Sequence, residues 1–338
     1  MRFVFALILS LCAVHAFAEP AARYVDRPEV QAFIAEMQAR HGFPEEELRA
    51  LFAQVERQES VLRAIVPQPV GERSWQRYRS NFVNARRIER GVEFWRAHRD
   101  ILARAEAEYG VPAEIIVAIL GVETQYGRTI GAYRVLDALT TLAFDYPRRA
   151  AYFRGELEEL LLLARESQWS PTELTGSFAG AIGIPQFMPG SIRRFAVDYD
   201  DDGRRNLRDS TADAIGSVAH FLRLHGWASG EPVAATATLT DPRARTLIDG
   251  GVTPKQPVAS LRLAGVAFDP DIPANLPAVL IELDSADAPS EYLVGLQNFY
   301  VITRYNRSSF YAAAVWLLAR ELKAAMARAP VNTVRNER

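Results

Sequence analysis

The stretch that decides the fold is Val111-Pro-Ala-Glu-Ile-Ile-Val-Ala-Ile-Leu-Gly-Val-Glu123, which is apolar almost all the way round. Pro112 suits the first turn of a helix, and Glu114 complements the positive end of the helix dipole. Ile115 through Val122 leave no wide polar face to meet water. The sequence therefore predicts that this segment is a buried helix.

Glu123 ends this helix and is a carboxylate in apolar surroundings. Loss of hydration raises the pKa of a carboxyl toward the range where it donates a proton at neutral pH, as a general acid does. The alternative is a glutamate that ends a core helix by bonding a neighbouring arginine, here Arg128. The residues of the helix alone favour neither interpretation.

Composition limits the classes of protein to which the chain can belong. It has 338 residues, of which 49% are hydrophobic and 24% charged, enough for one large or two ordinary domains. The formal net charge is −2, and the basic residues are spread along the sequence. We therefore expect no binding to nucleic acid.

The first residues are typical of an export signal, with Arg2, an apolar run from Phe3 to Val14 and Ala16-Phe17-Ala18. That run is too short to span a membrane. Leu11, before Cys12, is bulky where a lipoprotein signal requires a small residue. We therefore expect cleavage after Ala18 and no lipid anchor. Cys12 is the only cysteine, so the mature chain would form no disulfide.

Apolar residues at helical spacing extend from Pro28 to about Arg104, recur from Tyr152 to Ala164, and return from Tyr292. Glycines and prolines between Gly176 and Ser191 predict a tight turn system or a short helix. Residues 229–291 alternate apolar and polar side chains in short segments, which predicts strands. The segments concerned are Val233–Leu239, Ser260–Leu263 and Val279–Leu283.

Three segments, in order and spacing, resemble the lytic murein transglycosylases of the membrane-bound B type. They are Gly121-Val-Glu-Thr-Gln-Tyr-Gly-Arg128, Gly176-Ser-Phe-Ala-Gly-Ala-Ile-Gly-Ile-Pro-Gln-Phe-Met-Pro189 and Asn298-Phe-Tyr-Val-Ile-Thr-Arg-Tyr-Asn306. The resemblance extends from about Ser74 to Leu318. It implies a mainly α protein with a small β insertion, a lysozyme-like helical core, a helical N-terminal region and a calcium-loop motif.

The predicted organisation follows from this resemblance and from the periodicity. Residues 1–18 are a signal peptide, 19–228 a helical region with the lysozyme-like catalytic core, 229–291 a small β-containing subdomain, and 292–338 a helical return to the core. The resemblance also implies a periplasmic monomer that acts on peptidoglycan glycan strands, with cell-wall synthesis proteins as candidate partners.

The family cleaves the glycan between N-acetylmuramic acid and N-acetylglucosamine. The position of its catalytic glutamate is matched by Glu123. The resemblance implies that this residue first protonates the leaving oxygen and then deprotonates the muramoyl O6 hydroxyl, which closes a 1,6-anhydro ring without water or a cofactor. The alternatives are a peptidoglycan hydrolase that uses the same glutamate with a second base, and a non-catalytic wall-binding protein.

Ser177 and Gln186 match family positions that bond the catalytic carboxyl or the substrate N-acetyl groups. A glycine-rich structural turn with a surface glutamine is the alternative. Phe221 stands where a cleft tyrosine is expected, and it lacks the hydroxyl that would contact a sugar there. The remaining positions that match the lining of the family's cleft are Tyr78, Tyr152, Tyr305, Asn306 and Tyr311.

Residues 198–209, Asp-Tyr-Asp-Asp-Asp-Gly-Arg-Arg-Asn-Leu-Arg-Asp, form an independent pattern typical of an EF-hand-like calcium loop. The predicted ligands are Asp198, Asp200, Asp202, the carbonyl of Arg204 and Asp209. The last of these is an aspartate instead of the usual longer glutamate. In the family the final ligand lies a little further on, so Asp213 competes with Asp209. An acidic turn that holds no ion is the alternative.

Overall fold

The computed structural model describes residues 23–66, 74–286 and 288–328. The predicted signal peptide lies outside these ranges, so export stays a prediction. In the part of the chain so described, no helix has the length and apolar character needed to cross a membrane. Internal contacts divide the chain into one unit that ends at Glu56 and a second that begins at Arg57.

The first unit is helical, as predicted, and consists of a 3-10 helix, Tyr24–Asp26, followed by helices Pro28–His41 (α1) and Glu45–Phe52 (α2). Phe33 and Phe52 join the two helices edge to face, with ring centroids 5.9 Å apart. Both side chains are completely buried.

The second unit is built around the helix Ala113–Thr124 (α7), which confirms the prediction for Val111–Glu123. Its side chains from Ile116 to Leu120 are completely buried, and it packs against the helices Ala85–Ala97 (α5), Arg99–Tyr109 (α6), Thr211–Leu224 (α11) and Ser309–Arg328 (α14). The helices of this unit are Glu59–Ala64 (α3), Trp75–Phe82 (α4), Ala85–Ala97 (α5), Arg99–Tyr109 (α6), α7, Val135–Asp145 (α8), Ala150–Ser167 (α9), Pro189–Phe195 (α10), Thr211–Leu224 (α11), Val258–Leu263 (α12), Gln297–Tyr305 (α13) and Ser309–Arg328 (α14), with 3-10 helices Pro147–Arg149 and Pro242–Leu247.

A five-stranded antiparallel sheet lies between α11 and α13 in the sequence, with its strands in the order Gln256–Pro257 (β4), Pro277–Ser285 (β6), Ala288–Gly295 (β7), Ala234–Leu239 (β3) and Val266–Ala267 (β5). Its central hairpin places Ile281 opposite Leu293. Val258, Leu280 and Val294 belong to its hydrophobic core. The strands of the second unit are Tyr133–Arg134 (β1) and Thr175–Gly176 (β2), which pair with each other, and Ala234–Leu239 (β3), Gln256–Pro257 (β4), Val266–Ala267 (β5), Pro277–Ser285 (β6) and Ala288–Gly295 (β7).

The mainly α architecture with a small sheet is confirmed, and so are the strands predicted at Val233–Leu239 and Val279–Leu283. The strand predicted at Ser260–Leu263 is wrong, because this segment is helical. Val258 and Leu261, three residues apart, are buried on one face of that helix, while Leu263 is 90% exposed. The alternation around Arg262 therefore does not reflect a strand with one buried face.

The helical return is predicted to begin at Tyr292, but this residue lies in β7, opposite Glu282 of β6 and Ala237 of β3. Helix α13 begins only at Gln297. Pairing with strands on both sides fixes this segment in an extended conformation. The boundaries of the predicted domains, including the β-containing subdomain, stay predictions.

Candidate functional site

Glu123 lies in the last turn of α7 and is partly exposed, whereas the turn before it is completely buried. The phenol of Tyr311, in α14, donates a hydrogen bond of 2.6 Å to its Oε1. The ion pair with Arg128 that was the alternative is not formed among the described residues. The carboxyl is therefore held by a neutral donor and not by a cation.

The pKa of Glu123 is raised to about 7. Burial causes the rise, and the hydrogen bond from Tyr311 makes the rise smaller. Burial also raises the pKa of Tyr311 and that of Tyr305 well above the usual value for a phenol. Both tyrosines therefore keep their protons at neutral pH. Glu123 can be protonated or ionised there, which is what a group that acts first as acid and then as base requires.

Tyr305 connects this carboxyl to the surrounding loops. Its ring lies nearly parallel to that of Tyr311, with centroids 6.3 Å apart, and its hydroxyl donates to the carbonyl oxygen of Pro185. Tyr78 packs against Phe310, with ring centroids 5.7 Å apart. Tyr305 and Tyr311 thus form an aromatic pair beside Glu123, and Tyr78 packs against the residue that precedes Tyr311.

The glycine-rich segment folds as the tight turn system that the sequence predicts. Gly183 has a φ of +77°, and a Cβ there would lie 2.3 Å from the carbonyl oxygen of Leu207, so only glycine fits. The Oγ of Ser177 accepts a hydrogen bond of 3.0 Å from the backbone N–H of Ala181. This contact stabilises the turn; a role of Ser177 in binding the carboxyl or the substrate stays a prediction.

Gln186 adopts a left-handed conformation with a φ of +53°. Its Nε2 donates to the carbonyl oxygens of Ile130 and Gly183, at 3.2 and 2.9 Å. The side chain is therefore anchored through its amide nitrogen, and its amide oxygen remains to accept a hydrogen bond from a ligand.

A cleft of about 640 Å³ brings several predicted residues together. Phe221 forms part of its aromatic wall, with its ring centroid 5.0 Å from that of Tyr305. Glu123 and Tyr311, which is buried behind Tyr305, are not part of the lining, and neither are Ser177 and Tyr78. The side chains that line the cleft are Arg149, Tyr152, Gln186, Phe187, Met188, Ser191, Phe221, Arg304, Tyr305, Asn306 and Arg307.

Three of these side chains, Arg149, Arg304 and Arg307, were missed by the sequence reasoning. None of them forms an ion pair within the described ranges, so the cleft has a positive wall. The Arg149 guanidinium lies 4.4 Å from the centroid of the Tyr152 ring. The sequence held a signal for these arginines, because they lie close to predicted cleft residues. Arg149 precedes Tyr152 by three residues, while Arg304 and Arg307 flank Tyr305 and Asn306.

A second cavity, of about 350 Å³, is lined by residues that include Trp169, Ile182 and Leu207. The backbone of Ile182 pairs with that of Phe187, which lines the cleft. The two cavities are therefore separated by the glycine-rich segment. Glu123 lines neither cavity, but it is joined to the cleft through Tyr311 and Tyr305. The cleft is therefore the candidate active site.

The acidic loop brings the carboxylates of Asp198, Asp200 and Asp202 together, with one oxygen of each within 4.8 Å of the others. Oxygen ligands at 2.3–2.6 Å from a calcium ion have about this separation, so the three side chains fit such an ion. Asp198 also accepts hydrogen bonds of 3.1 and 2.8 Å from the backbone N–H groups of Asp202 and Gly203, which hold the loop in its turn.

The two candidates for closing this loop differ in their surroundings. Asp213 is completely buried, and its carboxylate accepts from the backbone N–H groups of Tyr199 and Asn206, at 2.6 and 2.7 Å. Asp209 has a side chain that is 72% exposed and lies 3.9 Å from Arg208. Burial raises the pKa of Asp213, with Asp198 and Asp200 adding to the rise. Asp213 thus fastens both sides of the loop, whereas Asp209 faces solvent.

The chain is similar to known proteins over most of its length. Residues 26–320 match the family described as the transglycosylase SLT domain. The chain is 44% identical over 304 residues to the membrane-bound lytic murein transglycosylase B of Escherichia coli, which covers 87% of this chain and 82% of that protein.

Two solved structures are similar over most of their length. The lytic transglycosylase SltB1 from Pseudomonas aeruginosa superposes with a TM-score of 0.84 at 49% identity, covering 90% of this chain and 99% of that one. The Escherichia coli lytic transglycosylase SLT35 in complex with calcium gives a TM-score of 0.81 at 44% identity, covering 90% of this chain and 95% of that one.

Proposed function

The chain belongs to the SLT family of transglycosylases, and from this premise we propose that Glu123 is the single acid and base of its reaction. The protein is a lytic murein transglycosylase with a lysozyme-like fold, and it cleaves the glycan strands of peptidoglycan. The proposal concerns which residues perform this cleavage and what product they form.

The hydrogen bond between Tyr311 and Glu123 carries the proposal. A carboxyl whose pKa is raised to about 7 is largely protonated just below neutral pH, so it can donate to the leaving glycosidic oxygen. The phenol of Tyr311 then stabilises the carboxylate left behind, because it keeps its own proton and donates to Oε1. Glu123 in this ionised form can accept a proton in the second step.

A single carboxylate favours an internal nucleophile. Hydrolytic glycosidases commonly use a second Asp or Glu, about 5–9.5 Å from the first, as nucleophile or as base for water. In the described part of the chain the lining of the cleft contains no Asp or Glu, Glu123 is joined to it through Tyr311 and Tyr305, and no other carboxyl contributes to the raised pKa of Glu123. Glu123 would instead deprotonate the O6 hydroxyl of the muramoyl residue. The O6 oxygen attacks C1, the bond to the leaving oxygen breaks, and the product ends in a 1,6-anhydro ring.

The cleft supplies chemistry suited to an amino-sugar polymer. The Tyr152 and Tyr305 rings offer apolar faces on which pyranose rings pack, and the Gln186 and Asn306 amides can bond hydroxyl or N-acetyl groups. The positive wall, which includes Arg304 and Arg307, suits the carboxylates of peptides attached to the glycan. The lining residues thus address both components of peptidoglycan.

Mass spectrometry of digested peptidoglycan tests the proposal. Products that end in anhydro-muramoyl residues, and that disappear with Glu123→Gln, support it. Products that are one water heavier would show a hydrolase with an additional base. Near wild-type turnover by Glu123→Gln would exclude Glu123 as the acid.

We also propose that the acidic loop holds a structural calcium ion, with Asp198, Asp200 and Asp202 as side-chain ligands and the carbonyl of Arg204 as a further one. The fit of the three carboxylates supports this, as does the calcium in SLT35. The ion would neutralise crowded negative charge and hold the loop, and it takes no part in the chemistry. Export to the periplasm without a lipid anchor, and action as a monomer, remain part of the proposal.

A further inference from the structure

Thr124 follows Glu123 and is completely buried, although its side chain is polar. Its Oγ1 donates a hydrogen bond of 2.7 Å to the carbonyl oxygen of Ile184 and accepts one of 2.9 Å from the N–H of Gly127. The Leu120 carbonyl, one turn back in α7, is more distant at 3.4 Å. The hydroxyl therefore bonds chiefly to groups outside its own helix.

The hydrogen bond that Thr124 accepts from the N–H of Gly127 holds an unusual turn directly after Glu123. Gln125, Tyr126 and Gly127 have φ values of 51°, 63° and 83°, and left-handed conformations are costly for the two residues that are not glycine. Such a turn persists only when its surroundings fix it, and the bond to Thr124 is one of these constraints. The end of α7 is thus held in one position.

The hydrogen bond that Thr124 donates to the carbonyl oxygen of Ile184 closes a ring of contacts around the site. The next carbonyl along the chain, that of Pro185, accepts from the hydroxyl of Tyr305. Tyr305 stacks on Tyr311, and Tyr311 bonds Glu123. Two successive peptide carbonyls are therefore bound from two sides, and the residue that follows them is Gln186.

From this ring we propose that Thr124 is a positioning residue, whose hydroxyl fixes the distance between Glu123 and the segment that carries Gln186. The inference rests on the proposed role of Glu123 as acid and base. A fixed distance matters because the glutamate must meet the glycosidic oxygen while Gln186 holds the sugar. Displacements of about 1 Å can cost a hundredfold in rate.

The test replaces Thr124 with valine, which keeps the branched shape and removes the hydroxyl, and with serine, which keeps the hydroxyl. We expect Thr124→Val to lower kcat by about ten- to a hundredfold, and Thr124→Ser to recover most of it. The matched control is Thr140→Val. Thr140 is equally buried, but its hydroxyl has no hydrogen-bond partner among the described residues, so its loss should leave kcat unchanged.

A positioning role predicts that Thr124 and Gln186 are coupled. In a double-mutant cycle with Gln186→Ala, Thr124→Val should cost much less than it does in the wild-type background, because the side chain that it positions is absent. A purely structural role would leave the two losses multiplicative. If Thr124→Val does not fold, Thr124→Cys serves in the same cycle, since a thiol is only a weak donor.

Wild-type kcat in Thr124→Val, no recovery by serine, or independent losses in the cycle would each overturn the inference. Its failure is separable from that of the proposed function. An active Glu123→Gln enzyme refutes the role of Glu123 whatever Thr124 does. An inactive Glu123→Gln enzyme with a fully active Thr124→Val enzyme refutes only the positioning role.

Discussion

The phenol of Tyr311 and the carboxyl of Glu123 are joined by a hydrogen bond of 2.6 Å, although the two residues lie 188 positions apart in the sequence. The bond forms because α14 packs along α7, which places a completely buried part of the C-terminal helix beside the end of the central one. The acid group thus comes from the central helix of the second unit, and the donor that stabilises its ionised form comes from the last helix described. A shift between these helices would alter the chemistry directly.

Tyr311→Phe should move the pH dependence of the reaction to higher pH. The hydrogen bond from Tyr311 lowers the pKa of Glu123, so its loss raises that pKa above about 7. A hydrogen bond to a charged group is worth about 1.5–3 kcal/mol, which corresponds to a shift of roughly one to two pH units. Since the first step requires the protonated acid, the alkaline limb of the rate profile should move upward.

The maximal rate of Tyr311→Phe should also fall, because the carboxylate loses its donor. Rates measured from pH 5 to pH 9 check both effects. Tyr146→Phe is the control, as Tyr146 does not line the cleft and the hydrogen bond to Glu123 comes from Tyr311. An alkaline limb that stays in place in Tyr311→Phe would show that this bond does not set the pKa of the acid.

Glu123→Gln should lose turnover and gain stability at alkaline pH. Burial raises the folded-state pKa of Glu123 from 4.5 to about 7, so its contribution to stability is fully present below pH 4.5 and is lost as the pH rises through 7. The cost at pH 8 is at most about 3 kcal/mol, and less because the side chain is partly exposed. Glutamine does not ionise and avoids this cost.

Melting curves of both proteins at pH 5 and pH 8 check this expectation. The melting temperature of Glu123→Gln should exceed that of the wild type at pH 8, and the difference should shrink at pH 5. An equal difference at both pH values would mean that the carboxyl is not desolvated in the folded protein. Circular dichroism at each pH shows whether the variant keeps its fold.

The features of the site that could be predicted from the sequence are those determined by neighbouring residues in the chain. Ile115 to Val122 have no polar face, and this alone predicts both the buried helix and an unusual carboxyl at its end. The acidic loop is likewise defined by spacing within residues 198–209. Local spacing did not distinguish Asp213 from Asp209, because only the folded loop shows which carboxylate receives the backbone N–H groups.

The parts that could not be predicted depend on contacts between distant segments. The family resemblance placed Tyr311 among the cleft aromatics, but not as the hydrogen-bond donor to Glu123. The hydroxyl of Thr124 bonds a carbonyl 60 residues away, and no periodicity reports such a contact. Ser260–Leu263 shows the opposite error, in which a short alternation suggested a strand although tertiary packing selects a helix.

Replacing Arg307 with glutamine, alone and together with Arg304→Gln, should weaken the binding of glycan that carries peptides. The two guanidinium groups line the cleft, and an exposed pair with a carboxylate contributes up to about 1 kcal/mol. KM for peptide-bearing strands should therefore rise by up to about fivefold in Arg307→Gln and by more in the double variant, with kcat little changed. Peptide-free strands should show no such change.

Arg96→Gln is the matched control, because Arg96 is exposed on α5 and does not line the cleft. Equal increases in KM for both kinds of strand would show that the arginines bind the sugar chain and not the peptide. Raising the salt concentration should reduce the difference between wild type and variant, since salt screens exposed charges.

Removing calcium should lower the melting temperature by several degrees and change the activity at moderate temperature less. Asp198, Asp200 and Asp202 crowd their oxygens within 4.8 Å, so without a cation they repel each other. An ion that binds only the folded loop stabilises the protein by about 2.7 kcal/mol at a hundredfold excess over its dissociation constant. Melting curves with calcium and with a chelator measure this difference.

Three variants separate the roles of the loop carboxylates. Asp202→Asn should abolish most of the effect of the chelator, because it removes a ligand charge, whereas Asp209→Asn should leave it unchanged, because its carboxylate is not among the three that lie within 4.8 Å of one another. Asp213→Asn should lower the melting temperature with or without calcium, since one of the two backbone N–H groups that the carboxylate binds would face an amide NH₂ instead. A melting curve that does not respond to the chelator in the wild type would identify the loop as an acidic turn that holds no ion.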